Sequence, residues 1–163
     1  MVWYYILTMH KVIISDFSRV LLFPKDHNYL GSLNSLYKEV GVETDDFTAH
    51  FLLNTNLLEE FSAIPVTKYV FTTGSVQNAP EIAPRIAEVF KDVYTVPQIG
   101  HPKTDPQAYK IVCDKIGVQP KQAFFLDDST ANIQAAHNAG LVAEQFETNQ
   151  QVLDTIRNWL QTE

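Results

Sequence analysis

Short runs of β-branched and aromatic residues recur along the chain, and each run is followed by a polar residue that could bind a phosphate or a metal ion. Runs this short and this apolar are typical of strands buried on both faces. The three runs and the polar residues after them are residues 12–14 with Asp16, residues 69–71 with Thr72, and residues 124–126 with Asp127. Weaker strands are predicted at residues 93–96 and 141–145.

Apolar residues at helical spacing fill the intervals between these strands. Asp105 is predicted as the N-cap of one helix, because a proline follows it and Gly117 ends the pattern. Ser129 and Thr148 are predicted to cap two further helices, and residues 80–90 form another. Strands that alternate with helices predict βαβ units, and therefore an α/β fold with a doubly wound parallel sheet.

The segment from residue 24 to residue 63 interrupts this alternation, because it has no strand pattern and carries two apolar stripes at helical spacing. The first stripe ends at Gly41, and Thr44 is predicted to cap the helix that carries the second. The stripes are Leu30, Leu33, Leu36, Tyr37 and Val40, and then Phe47, Phe51, Leu52, Leu58 and Phe61. Two helices placed directly after the first strand indicate a lid over the carboxyl edge of the sheet.

These patterns predict the organisation of the chain into domains. We predict a core made of residues 9–23 and 64–163, with a small helical cap at residues 24–63 inserted after the first strand. Residues 1–8 are interpreted as a candidate N-terminal extension. The alternative for residues 24–63 is an ordinary crossover made of two helices.

Composition and charge exclude several classes of protein. The chain has 163 residues and a net charge of −7, which argues against a general binder of nucleic acid or of anionic membranes. Its one cysteine, Cys113, excludes an internal disulfide framework and fits a buried apolar position. No apolar run approaches the roughly 20 residues that span a bilayer, and the N-terminus lacks signal-peptide features, so we expect a cytoplasmic protein without a membrane partner.

Candidate chemistry lies where the predicted strands end. Ligands of open parallel sheets bind beyond the carboxyl ends of the strands, which would bring Asp16, Thr72 and the pair Asp127 and Asp128 to one edge. A single acid after a strand is more often a turn residue, but adjacent carboxylates repel each other unless a cation or a donor neutralises them. Three acids form an oxygen site suited to Mg²⁺. Lys103, before a capped helix, could neutralise these acids and hold a phosphate oxygen.

Four motifs in sequence order resemble those of the haloacid dehalogenase (HAD) superfamily, which includes phosphohydrolases with an aspartate nucleophile. They are Asp16-Phe17-Ser18-Arg19-Val20, Thr72-Thr73-Gly74-Ser75, Lys103-Thr104-Asp105-Pro106, and Asp127-Asp128-Ser129-Thr130-Ala131-Asn132. The stretch from residue 103 to residue 140 is the most specific part of the match. The resemblance implies a HAD-like Rossmannoid core of subclass I with a short helical cap.

The resemblance also implies roles around a phosphoryl group. Asp16 would attack the phosphorus and form an aspartyl-phosphate, which splits hydrolysis into two easier steps. Thr72, Thr73 and Lys103 would bind phosphoryl oxygens. Arg19 occupies a place where the family usually has a small glycine, and its guanidinium could reach the phosphate or point into the interface with the lid.

A magnesium ion would complete such a site. By the same resemblance, Mg²⁺ would bridge Asp16, the backbone carbonyl of Ser18, and Asp128. Asp127 would bind the ion directly or through a water molecule. The ion would shield the phosphate from the acids and hold it in line for attack. Asn132 would orient Asp128, although an ordinary polar position in a helix is an equal alternative.

One position departs from the family pattern. HAD phosphatases carry an acid two residues after the nucleophile, which protonates the leaving group and then activates water, and here that residue is Ser18. Serine cannot supply this acid–base step near neutral pH, and such a step is typically worth about 10²–10⁴-fold in rate. Asp26 or His101 could replace the missing acid in a slow enzyme.

Three functions therefore remain open. The first is a Mg²⁺-dependent phosphohydrolase acting on a small phosphorylated metabolite. The second is a catalytically degenerate member that binds a phosphorylated ligand or a protein partner without turnover. The third is another aspartate chemistry, such as hydrolysis of a carbon–halogen bond. The apolar stripes of the cap need a partner surface, which could be the sheet domain or a second copy in a homodimer.

Overall fold

The computed structural model describes residues 10–40 and 46–162. Its strands are β1 Val12–Ser15, β2 Leu22–Pro24, β3 Phe51–Leu53, β4 Thr67–Thr72, β5 Asp92–Thr95, β6 Ala123–Asp127 and β7 Val142–Gln145. Its α-helices are α1 Leu33–Val40, α2 Thr55–Ala63, α3 Ala83–Val89, α4 Val96–Ile99, α5 Pro106–Ile116, α6 Thr130–Ala139 and α7 Asn149–Leu160. The predicted extension at residues 1–8 and the helix signals at Gly41 and Thr44 lie outside the described residues.

Five parallel strands form the central sheet in the order β5-β4-β1-β6-β7. β1 lies in the middle and pairs with β4 on one side and β6 on the other, with Ile14 opposite both Tyr69 and Phe125. β4 and β5 lie on one side of β1, and β6 and β7 lie on the other, so the topological switch point of the sheet is at β1. Sheets of this type bind ligands beyond the carboxyl ends of the strands at the switch point. The predicted α/β fold with a doubly wound parallel sheet is confirmed.

Strand residues alternate between two apolar layers. Ile13 and Phe124 face a cluster formed with α2, α3 and α7, whereas Ile14 and Phe125 face a cluster formed with α5 and α6. All four side chains are fully buried. Successive side chains of a strand point to opposite faces of the sheet, so a strand covered on both faces needs a continuous apolar run. This requirement explains the short unbroken runs in the sequence.

The local helix signals agree with the structure in their positions, although Ser129 at the N-cap of α6 makes no side-chain capping hydrogen bond. The Asp105 side chain accepts a hydrogen bond from the Gln107 amide and caps α5, and Gly117 ends that helix in the left-handed region with φ of 84°. The predicted strand at residues 93–96 ends one residue early, because Thr95 caps the single turn α4, which Val96 begins. Cys113 is buried as predicted.

The second cap helix predicted from the sequence is wrong in its first half. Residues Phe47–Ala49 form one 3-10 turn, and Phe51–Leu53 form strand β3, which pairs antiparallel with β2. The Phe47 and Phe51 rings stack with their centroids 4.5 Å apart, so an i, i+4 contact arises here without a continuous helix. Asn54 then begins α2 by accepting a hydrogen bond from the Leu57 amide. The first cap helix begins at Leu33, and Leu30 lies before it, 90% exposed.

Helix α2 is attached to the layer of core helices. Asn54, at its start, exchanges side-chain hydrogen bonds of 2.8 and 2.9 Å with Asn149 of α7. Glu60 forms an ion pair with Arg157 of α7, with 2.7 Å between Oε2 and Nη2. The domain boundaries at residues 24 and 63 stay a prediction, and these contacts favour a shorter insertion between β2 and β3. Within residues 10–40 and 46–162, no helix is both long enough and apolar enough to cross a membrane.

Candidate active site

Three acidic side chains meet at the carboxyl edge of the sheet. Asp16 directly follows β1, Asp127 ends β6, and Asp128 comes next. The Asp16 amide donates to the Leu126 carbonyl at 2.8 Å, which continues the pairing of β1 with β6 and holds the two strand ends side by side. One carboxylate oxygen from each of the three acids lies within 4.8 Å of the others. The predicted convergence of these acids is therefore present.

Lys103 enters this group from the loop before α5. Its Nζ lies 2.7 Å from Oδ1 of Asp16 and 2.5 Å from Oδ2 of Asp127. The Lys103 side chain is 4% exposed, so the ammonium is removed from water and depends on these carboxylates for its partners. The side chain also passes the rings of Phe71 and Phe125, with Nζ 5.6 and 5.5 Å from their centroids. Such cation–π contacts are attractive and favour this position of the ammonium beside the two acids.

A buried tyrosine holds the loop that carries Lys103. The Tyr109 hydroxyl donates to the backbone carbonyl of Lys103 at 2.7 Å, and the Tyr109 side chain is fully buried against the Phe71 and Phe125 rings. Burial raises the pKa of the Tyr109 hydroxyl, so it stays protonated and donates. This role of Tyr109 was not predicted from the sequence, where its signal was that of an aromatic residue following the motif that begins at Lys103.

Asn132 supports Asp127 and not Asp128, which corrects the prediction from the sequence. Its Nδ2 donates to Oδ1 and Oδ2 of Asp127 at 3.1 and 3.0 Å. The Ser129 amide donates to Oδ1 of the same carboxylate at 2.8 Å. Asp127 therefore has an amide, a backbone N–H and an ammonium as partners, which is the support that a fully buried carboxylate needs. Asp128 remains half-buried at the rim.

The electrostatics of the group favour a bound cation. Burial raises the pKa of Asp16 to about 7, because the Lys103 ammonium only partly offsets desolvation and the charge of Asp127 adds to the shift. Burial and Asp127 also raise the pKa of Asp128. Burial lowers the pKa of Lys103, but the two carboxylates outweigh this effect, so its pKa is raised and it stays charged. Three carboxylates around one ammonium leave negative charge that a metal ion would neutralise.

These three acids fit a divalent ion that binds oxygen. Mg²⁺ prefers carboxylate and carbonyl oxygens and retains several waters, so it needs only one or two carboxylates from the protein. Asp16 and Asp128 are free of the hydrogen bonds that Asn132 makes to Asp127, and the rim position of Asp128 leaves room for water. The cluster of Asp16, Asp127 and Asp128 could hold such an ion.

The loop after β1 turns sharply around the carbonyl of Phe17. This carbonyl accepts from the amides of Leu21 and Leu22 at 2.9 and 3.1 Å, and the turn carries Ser18 and Arg19. Arg19 has φ of 61°, in the left-handed region that favours glycine. This backbone conformation explains why a glycine would be the easier residue at this position.

Arg19 points towards the segment between β2 and β3, residues 25–50, which we call the cap segment. Its Nη2 donates to the carbonyls of Tyr29 and Gly31 at 2.9 and 3.0 Å. Its charge still favours the ionised form of Asp128, so the guanidinium lies near the acidic cluster. These hydrogen bonds are the contact with the lid segment that was one of the two alternatives for Arg19, and its contact with a phosphate stays a prediction.

The second motif lies next to the acids, at the end of β4. Thr72 is 1% exposed and pairs in register with Thr95 of β5, whereas Thr73 is exposed. β4 is the direct neighbour of β1, so Thr72 is one strand away from Asp16. Strand spacing of about 4.8 Å therefore places the ends of the two strands side by side at the same edge of the sheet.

The two candidates for a replacement acid are engaged elsewhere. His101 Nδ1 lies 2.8 Å from Oδ2 of Asp105, the residue that caps α5. Asp26 Oδ1 accepts a hydrogen bond from the Asn28 amide at 2.9 Å, and the side chain is exposed. Neither residue belongs to the acidic cluster found among the described residues.

Known proteins resemble this chain in sequence and in structure. A family model for haloacid dehalogenase-like hydrolases matches residues 55–140. The Enolase-phosphatase E1 of Stenotrophomonas maltophilia is 28% identical over 127 residues, which cover 72% of this chain and 52% of that protein. The chain therefore spans about half the length of this curated relative.

Solved structures agree on the fold. A HAD-superfamily hydrolase from Ehrlichia chaffeensis superposes with a TM-score of 0.64 at 17% identity, covering 91% of this chain and 97% of that one. A HAD family enzyme from Bacteroides thetaiotaomicron, in complex with magnesium and inorganic phosphate, has a TM-score of 0.61 at 17% identity and covers 84% and 94%. The family model matches more than half of the chain, and its region includes Thr72, Lys103 and the pair of acids. The chain belongs to the haloacid dehalogenase-like hydrolases.

Proposed function

We propose that this protein is a Mg²⁺-dependent phosphatase that hydrolyses phosphoric monoesters through an aspartyl-phosphate on Asp16. The observation that carries the proposal is the buried Lys103 ammonium between Asp16 and Asp127, beside a third acid. A structural ion pair needs one carboxylate for one ammonium. The surplus of acids at the ligand-binding edge of the sheet instead suits a metal ion and a phosphate.

In this proposal Asp16 is the nucleophile. A carboxylate oxygen of Asp16 attacks the phosphorus, the bond to the ester oxygen breaks, and the alcohol leaves with a proton. Water then attacks the aspartyl-phosphate and releases inorganic phosphate, which restores the Asp16 carboxylate. Lys103 holds a phosphoryl oxygen and favours the ionised form of Asp16, and Thr72 and Thr73 donate hydrogen bonds to the other oxygens.

The residues that would hold Mg²⁺ are Asp16, Asp128 and the backbone carbonyl of Ser18, with Asp127 bound directly or through water. When bound, the ion supplies charge that neutralises the phosphate and favours in-line displacement. The amide of Asn132 holds Asp127 in one orientation, so that it can accept from Lys103. Arg19 keeps the turn after β1 against the cap segment, and its contact with the phosphate stays a prediction.

Ser18 limits the rate in this proposal, because no acid stands two residues after the nucleophile. The leaving alcohol must take its proton from water, and the loss is about 10²–10⁴-fold. The name of the curated relative, a phosphatase, supports a phosphorylated substrate, and we propose that it is a small phosphorylated metabolite. The cap at residues 24–63, a homodimer formed through it and a cytoplasmic location stay predictions.

The test is hydrolysis of an aryl phosphate in the presence of Mg²⁺. We expect slow turnover that is lost in Asp16→Asn and retained in the control Asp114→Asn, whose side chain is exposed on α5. Ser18→Asp should raise turnover, because it restores the acid–base group. Equal turnover by the wild type and Asp16→Asn would refute the proposed nucleophile.

The second candidate function is a degenerate HAD member that binds a phosphorylated ligand without turnover. The presence of serine at position 18, in place of an acid, favours this second function. Beryllofluoride or vanadate with Mg²⁺ would then raise the melting temperature of the wild type. Neither the wild type nor the Ser18→Asp variant would hydrolyse an aryl phosphate.

A further inference from the structure

Helix α1 of the cap segment reaches the loop after β4 through one side chain. Oδ1 of Asn34 accepts hydrogen bonds from the backbone amides of Ser75 and Val76 at 2.8 and 2.9 Å. These amides lie 41 and 42 residues further along the chain, so the contact is made only in the folded protein. The contacted loop follows Thr72 directly.

Asn34 caps a turn in this loop that no side chain of the loop itself caps. Residues Val76–Asn78 form a 3-10 turn whose N-cap is Ser75, but the Ser75 side chain makes no capping hydrogen bond. The first amides of such a turn have no partner within it, and a side-chain oxygen normally accepts from one of them. Here the oxygen comes from Asn34, in another segment of the chain.

The absence of a side chain at Gly74 allows this contact. A Cβ placed on Gly74 would lie 1.9 Å from Nδ2 and 2.2 Å from Oδ1 of Asn34, far inside van der Waals distance. On the inner side, Nε2 of the buried Gln77 donates to the Gly74 carbonyl at 2.7 Å. The loop is thus held between the cap segment and the core.

A second contact joins the same cap segment to the loop after β1. The Arg19 guanidinium binds the carbonyls of Tyr29 and Gly31, which come just before α1. Leu33, beside Asn34, is 1% exposed and packs in the core cluster that contains Val76. The cap segment therefore contacts both loops that flank the proposed phosphate position, the one after Asp16 and the one after Thr72.

We propose that Asn34 is a positioning residue that holds the Thr72–Ser75 loop in the shape that binds phosphoryl oxygens. The inference rests on the proposed function, because it takes this loop as the phosphate-binding loop. Asn34 acts through the backbone of Ser75 and Val76. Loss of its oxygen frees two amides and lets the loop that carries Thr72 and Thr73 move away from the phosphate.

The experiment compares Asn34→Ala, Gly74→Ala and the double variant. We expect Asn34→Ala to raise KM for an aryl phosphate about 10-fold, since two hydrogen bonds to the loop are lost. Gly74→Ala should have a similar effect alone, because its methyl group displaces the Asn34 side chain. In the double variant the second change should add less than about 2-fold, since both remove the same contact.

Two further variants separate positioning from general packing. Asn34→Asp keeps an oxygen that can accept from both amides, so its KM should return towards the wild-type value. Ser35→Ala, at the next and exposed position of α1, is the matched control and should leave KM unchanged. Additive effects of Asn34→Ala and Gly74→Ala, or equal losses in Asn34→Ala and Asn34→Asp, would overturn the inference.

Amide hydrogen exchange tests the same contact without any activity. Exchange at Ser75 and Val76 should rise about 10-fold in Asn34→Ala and stay as in the wild type in Ser35→Ala. Unchanged exchange, or phosphate binding that is equal in the wild type and Asn34→Ala, would overturn this inference alone. A wild type that neither hydrolyses aryl phosphates nor binds phosphate with Mg²⁺ would refute the proposed function, even where exchange shows that Asn34 holds the loop.

Discussion

Replacing Lys103 by methionine tests the electrostatic centre of the site. The substitution keeps the length of the side chain and removes an ammonium that is 2.7 Å from Asp16 and 2.5 Å from Asp127. Both carboxylates are at least nine-tenths buried, so they would lose a cation that water cannot replace. Breaking a buried ion pair by removing one partner costs about 3–5 kcal/mol of the free energy of unfolding.

The loss of unfolding free energy in Lys103→Met should be larger at high pH than at low pH. The pKa of Asp16 is raised from 3.8 to about 7 in the folded protein, so the folded state binds more protons than the unfolded state between these values. Without metal, wild-type stability therefore falls as pH rises from about 4 to about 7. Lys103 opposes this loss, and its removal should cost most above pH 7, where Asp16 must be ionised, and least near pH 5, where Asp16 accepts a proton.

The assay is thermal unfolding of the metal-free protein at pH 5 and pH 8. We expect Lys103→Met to lower the melting temperature by about 6–20 °C at pH 8, from about 2–4 °C per kcal/mol for a domain of this size. Lys110→Met, an exposed lysine on α5, is the control and should change little. A Lys103→Met protein as stable as the wild type at both pH values would refute the electrostatic account of the site.

Three further predictions concern the residues around this centre. Tyr109→Phe removes the hydrogen bond to the Lys103 carbonyl, and urea unfolding should show a loss of about 1–2 kcal/mol; an unchanged midpoint would contradict this. Asn132→Ala frees the Asp127 carboxylate, and calorimetric titration should show Mg²⁺ affinity lower by about 10–100-fold; equal affinity would argue against its supporting role. Mg²⁺ with phosphate should raise the melting temperature of the wild type but not of Asp128→Asn, and an equal rise in both would exclude Asp128 as a ligand.

Much of the fold was predictable because its signals are local. Short apolar runs predicted β1, β4 and β6, and the caps Asp105 and Thr148 each act on an amide within three residues. The cap segment was harder, because Phe47 and Phe51 have helical spacing yet lie on a 3-10 turn and on β3. The pairing of β3 with β2 joins residues about 30 positions apart, and the spacing of apolar residues does not record such a partner.

The candidate site likewise has features that the sequence predicted and features that it did not. Motif order and strand ends predicted that Asp16, Thr72, Lys103 and the two acids would meet, since parallel strands end at one edge. The choice of Asp127 as the partner of Asn132 was not predictable, because both acids lie within hydrogen-bonding reach of a helix residue four or five positions later. The direction in which each strand-end carboxylate points decides between them.

The sequence by itself therefore determined the class of fold, the order of the motifs and the types of group at the site, since strand patterns, helix caps and chemistry depend on neighbouring residues. Tertiary structure alone decided which groups touch. It placed the Lys103 ammonium between two acids, turned Arg19 towards the carbonyls of the cap segment, and brought Asn34 to amides some 40 residues away. Such contacts depend on how the helices pack against the sheet, because burial fixes the direction of each side chain.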